Sequence, residues 1–301
     1  MPGADCLLRG SGWGEDGVRR CCPPALRPDG RSDVTDPLDP LDAMAPLDAT
    51  IPLDTMAPLD SIAPPDSVRC VLFDFDGPVC ALFRNHPAPG VAGRLLDWLP
   101  AGVRHLVRAE DGGPVTDPQV ILRAVGELDP GGALVSELEA RLTEEEVLAT
   151  ESAVPTPRAA ELIRALGDAG VALAVTTNNS PRVVRRYLER TGLADCFGPH
   201  IHGRTHDPHD PRRLKPHPDS LARALASTGA AAGESVMIGD AVADFLAAKQ
   251  LGIRFLGYAT RESKGEVLYE VGARVVVDEL PGSVVELAAL ADQLSRDGRL
   301  P

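Results

Sequence analysis

The run VLFDFDG, residues 71–77, restricts what this chain can fold into more than any other stretch. Cys70–Phe73 is a short apolar run suited to a strand buried on both faces, and Gly77 with Pro78 ends it. Side chains alternate along a strand, so Asp74 and Asp76 point one way and Phe75 the other. Two like charges at the end of a buried strand destabilise a fold unless something offsets them. Something must therefore neutralise this pair.

Further apolar runs at Val171–Val175, Val236–Ile238, Ile253–Leu256 and Val275–Val277 predict four more strands. Between them lie helices with readable ends. Ser180 stands at an N-cap with Pro181 behind it, and Gly192 closes that helix. Pro218 opens another that ends at Gly229, and Ala241–Leu251 is stopped by Gly252. Strands alternating with helices over short connections predict an α/β fold, a Rossmann-like parallel sheet flanked by helices.

Residues 81–153 interrupt the alternation and predict a small inserted α-helical cap domain. Ile121, Leu122, Val125 and Leu128 mark one apolar helix face behind Pro118, and Thr143 with Glu146 has the spacing of a capping box. Val154-Pro155-Thr156-Pro157 is the hinge back to the sheet. The core is then expected at 68–80 and 154–294, with a C-terminal tail at 295–301. Residues 1–67 carry the hexapeptide series AMAPLD, ATIPLD, TMAPLD and SIAPPD. Four such repeats make little more than one coil of a β-helix, and each proline removes a backbone donor, so a disordered N-terminal tail is expected.

Composition narrows the function classes. The 301 residues carry 44 acidic and 30 basic side chains, a net charge of −14, which argues against nucleic acid or an anionic membrane as partner. The six cysteines form no C-x-x-C pair, and no apolar run has membrane-spanning length or the form of a signal peptide, so the expected location is the cytoplasm. The sequence does not indicate an oligomeric state.

Ligands of open parallel sheets bind beyond the carboxyl ends of the strands. Those ends are followed here by Asp74 and Asp76, by Thr177-Asn178 before a helix, and by Asp240 with Asp244 one helical turn on; Lys215 precedes a further helix. Clustered carboxylates call for a hard cation, for which Mg²⁺ fits best. A lysine, a hydroxyl and a helix start suit a phosphoryl group, and a carboxylate can attack phosphorus.

FDFDG, the threonine after AVT, Lys215-Pro216 and GDAVAD stand in the order of four motifs, and from Val68 to about Leu294 the chain resembles the haloacid dehalogenase superfamily. The likeness is to its phosphoglycolate-phosphatase-like branch with a helical cap. It implies Asp74 as nucleophile, and Asp76 as the acid that protonates the leaving oxygen and then as the base that activates water. It implies Thr177 and Lys215 as holders of the phosphoryl, with Asn178 beside them. For Mg²⁺ it implies Asp74, the Asp76 carbonyl and Asp240, supported by Asp244. The family usually has Thr where this chain has Pro78, so hydrogen bonding just past the nucleophile must differ.

The expected activity is hydrolysis of a small soluble phosphorylated metabolite through an aspartyl-phosphate. A phosphomutase on the same fold and a non-catalytic interaction protein are the alternatives. Arg84, His86 and Arg123 are candidate substrate contacts of the cap. The histidines at 200, 202, 206, 209 and 217 match no metal-ligand spacing, and loop composition accounts for them better than zinc.

Overall fold

The structure, a computed structural model, describes residues 68–109, 112–205 and 213–296. The repeat segment 1–67, His206, His209 and residues 297–301 lie outside the described residues. Among the described residues, eight strands occur in the order β1 (Cys70–Phe73), β2 (Cys80–Ala81), β3 (Val154–Pro155), β4 (Ala172–Thr176), β5 (Ile201–His202), β6 (Ser235–Gly239), β7 (Arg254–Tyr258) and β8 (Val275–Val277). Six of them form one parallel sheet, ordered β5-β4-β1-β6-β7-β8.

Helices α1 (Ala88–Trp98), α2 (Ala101–Arg104), α3 (Pro118–Leu128) and α4 (Ala133–Ser152) come between β2 and β3. The sheet is flanked by α5 (Ala159–Asp168), α6 (Pro181–Thr191), α7 (Ala194–Phe197), α8 (Asp219–Thr228), α9 (Val242–Gln250), α10 (Glu262–Glu270) and α11 (Val284–Arg296).

Strand β1 lies inside the sheet, paired with β4 on one side and β6 on the other, and every residue in it is buried. Its alternation serves two faces. Val71 and Phe73 pack with Leu162 and Ile163 of α5 and Val184 and Leu188 of α6. Cys70 and Leu72 pack with Leu221 of α8, Ala248 of α9 and Leu268 of α10. The chain order runs outward from β1 in both directions, so the carboxyl end of β1 is a topological switch point, where open α/β sheets form their ligand crevice. Phe73 is in register with both Val175 and Ile238, which sets Asp74 level with the residues leaving β4 and β6.

Helices α1, α3 and α4 enclose a core of their own, including Val91, Leu95, Ile121, Val125, Leu138 and Leu142. The chain leaves and re-enters the sheet side by side, because β2 and β3 pair antiparallel, Cys80 opposite Pro155 and Ala81 opposite Val154.

Four expectations are corrected. The two-residue strands β2, β3 and β5 carry too little apolar sequence to stand out as runs. Leu128 is 50% exposed although Ile121, Leu122 and Val125 are buried, because it is the last residue of α3. Thr143 and Glu146 form no capping box: α4 starts ten residues earlier, after Gly132, and both lie buried within it. Ser180 does hold the N-cap position of α6, but its side chain makes no capping bond.

Candidate active site

The approach to the site begins with a tight turn. Gly77 N–H donates to the Cys80 carbonyl at 2.7 Å, and Cys80 N–H donates to the Phe75 carbonyl at 3.1 Å. Neither bond asks anything of residue 78, so Pro78 is accommodated without its missing N–H. Gly77 has φ +133°, and a Cβ there would lie 2.4 Å from Asp240 Cγ; only glycine suits both the backbone and the approach. Across the chain crossing, the Thr156 hydroxyl donates to the Gly77 carbonyl.

Lys215 ties the acids together. Its Nζ donates to Asp74 Oδ1 at 2.8 Å, to Asp244 Oδ1 at 2.5 Å and to the Thr176 carbonyl at 2.9 Å. Burial alone would lower its pKa, but the charges of Asp244 and Asp74 outweigh that and hold it above the usual range. Asp244 Oδ2 accepts the backbone N–H groups of Asp240 and Ala241 at 3.1 and 3.0 Å. Both oxygens of Asp244 are thus engaged by the protein. Gly239 makes room for it, since a Cβ at 239 would meet Asp244 Cβ at 2.6 Å.

Asp74, Asp240 and Asp244 offer carboxylate oxygens all within 4.8 Å of one another, the one such acidic group among the described residues. Burial, reinforced by the Asp244 charge, pushes the Asp74 carboxyl up to about 7. Burial pushes Asp76 up to about 7, against the Leu82 N–H that donates to its Oδ1 at 2.8 Å. Asp240 rises to about 6, mainly by burial, although Lys264 pairs with its Oδ2. Burial thus raises all three carboxyls together, and a divalent cation held among them would favour their ionised forms.

Thr177 and Asn178 follow β4. The Asn178 amide grips the Lys215 backbone, accepting its N–H at 2.7 Å and donating to its carbonyl at 3.2 Å. Thr177 Oγ1 accepts Asn179 N–H at 3.1 Å and donates to Asn179 Oδ1 at 3.0 Å. Asp74, Asp76, Thr177, Asn178, Lys215, Asp240 and Asp244 line one cavity of about 330 Å³, whose other wall includes Phe83, Pro118 and Gln119 from the helical segment. The structure therefore brings every predicted site residue together.

The candidate cap contacts divide. Arg84 lines an adjoining cavity of about 430 Å³ with Asp76, Asp240 and Lys264. Arg123 reaches the Lys215 carbonyl at 3.5 Å. His86 bonds Glu145 at 2.6 Å, which also holds Arg94. His200 and His202 both meet the Ser227 hydroxyl, at 3.0 and 2.7 Å, and His217 serves the Asp219 N–H. Sequence reasoning missed Lys264 and Arg204. No local pattern marks either, because their partners Asp240 and Glu146 are 24 and 58 residues away.

The family model of haloacid dehalogenase-like hydrolases matches residues 68–252. A phosphoglycolate phosphatase of Pseudomonas fluorescens is 28% identical over 222 residues, covering 70% of this chain and 77% of its own. That of Pectobacterium atrosepticum is 29% identical over 218 residues, covering 70% and 88%. Among solved structures, a family IA hydrolase of Entamoeba histolytica superposes with a TM-score of 0.55 at 18% identity, covering 74% of this chain and 99% of its own. A CbbY variant of Rhodobacter sphaeroides bound to xylulose-(1,5)bisphosphate gives 0.52 at 20% identity, covering 73% and 98%. At such identities these two likenesses concern the fold.

Proposed function

The chain belongs to the haloacid dehalogenase-like hydrolases, whose family model spans more than half of it, and from that premise we propose a Mg²⁺-dependent phosphatase that hydrolyses a small phosphomonoester through an aspartyl-phosphate. The observation that carries this reading is the convergence of Asp74, Asp240 and the Lys215 ammonium beside Thr177 in one cavity.

Asp74 attacks phosphorus, and the bond to the leaving oxygen breaks as Asp76 gives that oxygen its proton. Burial of Asp76 favours the protonated form that a general acid needs, while the Lys215 ammonium bonded to Asp74 favours the carboxylate that a nucleophile needs. The Asp76 carboxylate then takes a proton from water, which attacks phosphorus and releases phosphate and free Asp74. Lys215 and the Thr177 hydroxyl hold the phosphoryl oxygens. Asp74 and Asp240, with the Asp76 carbonyl, would hold Mg²⁺; Asp244, its oxygens already engaged, orients Lys215 and supports from behind. Bound there, Mg²⁺ supplies charge that offsets the carboxylates and the phosphoryl oxygens.

The relatives' name makes 2-phosphoglycolate the first substrate to test. The cavity wall of Phe83, Pro118 and Gln119 favours a small ester over a phosphoprotein. Phosphate release from a panel of small phosphomonoesters, with and without chelator, checks the reading. Turnover of at least one ester, abolished by chelation and restored by Mg²⁺, is expected; turnover indifferent to chelation, or of phosphoproteins alone, overturns it.

A further inference from the structure

Glu146 sits within α4 and is 0% exposed, and Arg204, which follows β5, is 5% exposed. A carboxylate so deeply buried survives only if donors saturate it. Arg204 Nη1 and Nη2 meet its two oxygens at 2.9 and 3.2 Å. Asn179 Nδ2 and Ser180 N–H donate to it at 3.0 and 3.1 Å, and Gln119 Nε2 at 3.3 Å. Two of these donors belong to the turn that presents Thr177, and Asn179 is itself bonded twice to the Thr177 hydroxyl.

Arg204 works on the same turn from the other side. Nη1 also donates to the Asn178 carbonyl at 2.9 Å, and its backbone N–H donates to the Asn179 carbonyl at 2.9 Å. The remaining guanidinium bonds go to Glu139 at 3.1 Å and Thr143 at 3.0 Å, on the α4 face that carries Glu146. Gly203 permits this closeness, for a Cβ there would lie 2.3 Å from the Asn179 carbonyl oxygen. Since Asn178 grips the Lys215 backbone, one ion pair bears on both phosphoryl-holding side chains.

We propose that Glu146 and Arg204 are positioning residues, which tie α4 to the 177–180 turn and thereby set the Thr177 hydroxyl and Lys215 for phosphoryl transfer. The proposal rests on the phosphatase reading.

The test removes both charges at once, in Glu146→Gln with Arg204→Met, so that neither is left buried and unpaired. Glutamine offers one acceptor where the carboxylate offers two oxygens. The double variant should melt cooperatively, exchange its amides over 177–180 faster than wild type, and lose kcat by on the order of 10²-fold on an ester that the wild type hydrolyses, with a smaller change in KM. Arg204→Lys keeps the charge but not the planar fork, and should show the same changes more weakly. It decides the matter if the double variant does not fold. Wild-type kcat together with wild-type exchange in a folded variant overturns the proposal. If the wild type hydrolyses no phosphoester, the phosphatase reading fails first, and the exchange rates alone decide whether the pair holds the turn.

Discussion

At the scale of single residues, the site is set by close approaches that sequence can only hint at. Gly77 follows the Asp-x-Asp, where its role looks like turn-making, yet the deciding contact is with Asp240, which lies 163 residues further along the chain (240 − 77). Gly77→Ala adds a methyl against the Asp240 carboxylate and forces φ +133° on a side-chain-bearing residue. Such strain costs about 1–3 kcal/mol. The variant should melt lower and lose most of its turnover, because Asp240 must shift. Gly167 gives the contrast. It lies exposed in α5 with open space where a Cβ would be, so Gly167→Ala should be neutral or stabilising by up to about 1 kcal/mol. Thermal melts of the two variants, with turnover measured alongside, separate contact from propensity.

Among elements, α3 shows how far periodicity reaches. Ile121→Ala empties a fully buried position and should cost about 2–5 kcal/mol. Leu128→Gln, at the exposed end of the same helix, should stay within about 0.5 kcal/mol. Denaturant melts would measure both; equal losses would contradict the assigned face. The five longer strands were legible because their apolar runs face two buried layers; β1 and β8 have the expected bounds, and the ends of β4, β6 and β7 are displaced by one or two residues. Strand β5 was not, since two residues give no pattern. The Thr143–Glu146 spacing is the instructive error. A local rule matched a capping box, whereas the residue that explains Glu146 is Arg204, 58 residues away in the segment after β5. Buried ionic partners of this kind are invisible to any short window.

For the whole molecule, the site was legible for a topological reason. A parallel sheet places every strand's carboxyl end on one edge, so acids, hydroxyl and lysine scattered from 74 to 244 had one place to meet. Residues 68–296 include both packed faces of the sheet and a separate helical core, and the backbone bonds of the first strand's entry begin at Arg69. A chain starting at Ser67 should therefore keep the melting temperature and turnover of the full chain. A large loss of either would show that residues 1–66 contribute to the fold.

The central claim is that Asp74 becomes phosphorylated and Asp76 moves the protons. The most direct measurement is the intact mass of Asp76→Asn mixed with nitrophenyl phosphate and Mg²⁺. Nitrophenolate leaves without a proton, so Asp74 should still be phosphorylated. Hydrolysis of the adduct should slow by about 10²–10⁴-fold without its general base. The account predicts a gain of one phosphoryl group in that variant, none in Asp74→Asn, and none in either when Mg²⁺ is removed. An adduct that forms in Asp74→Asn, or wild-type turnover by that variant, would contradict it.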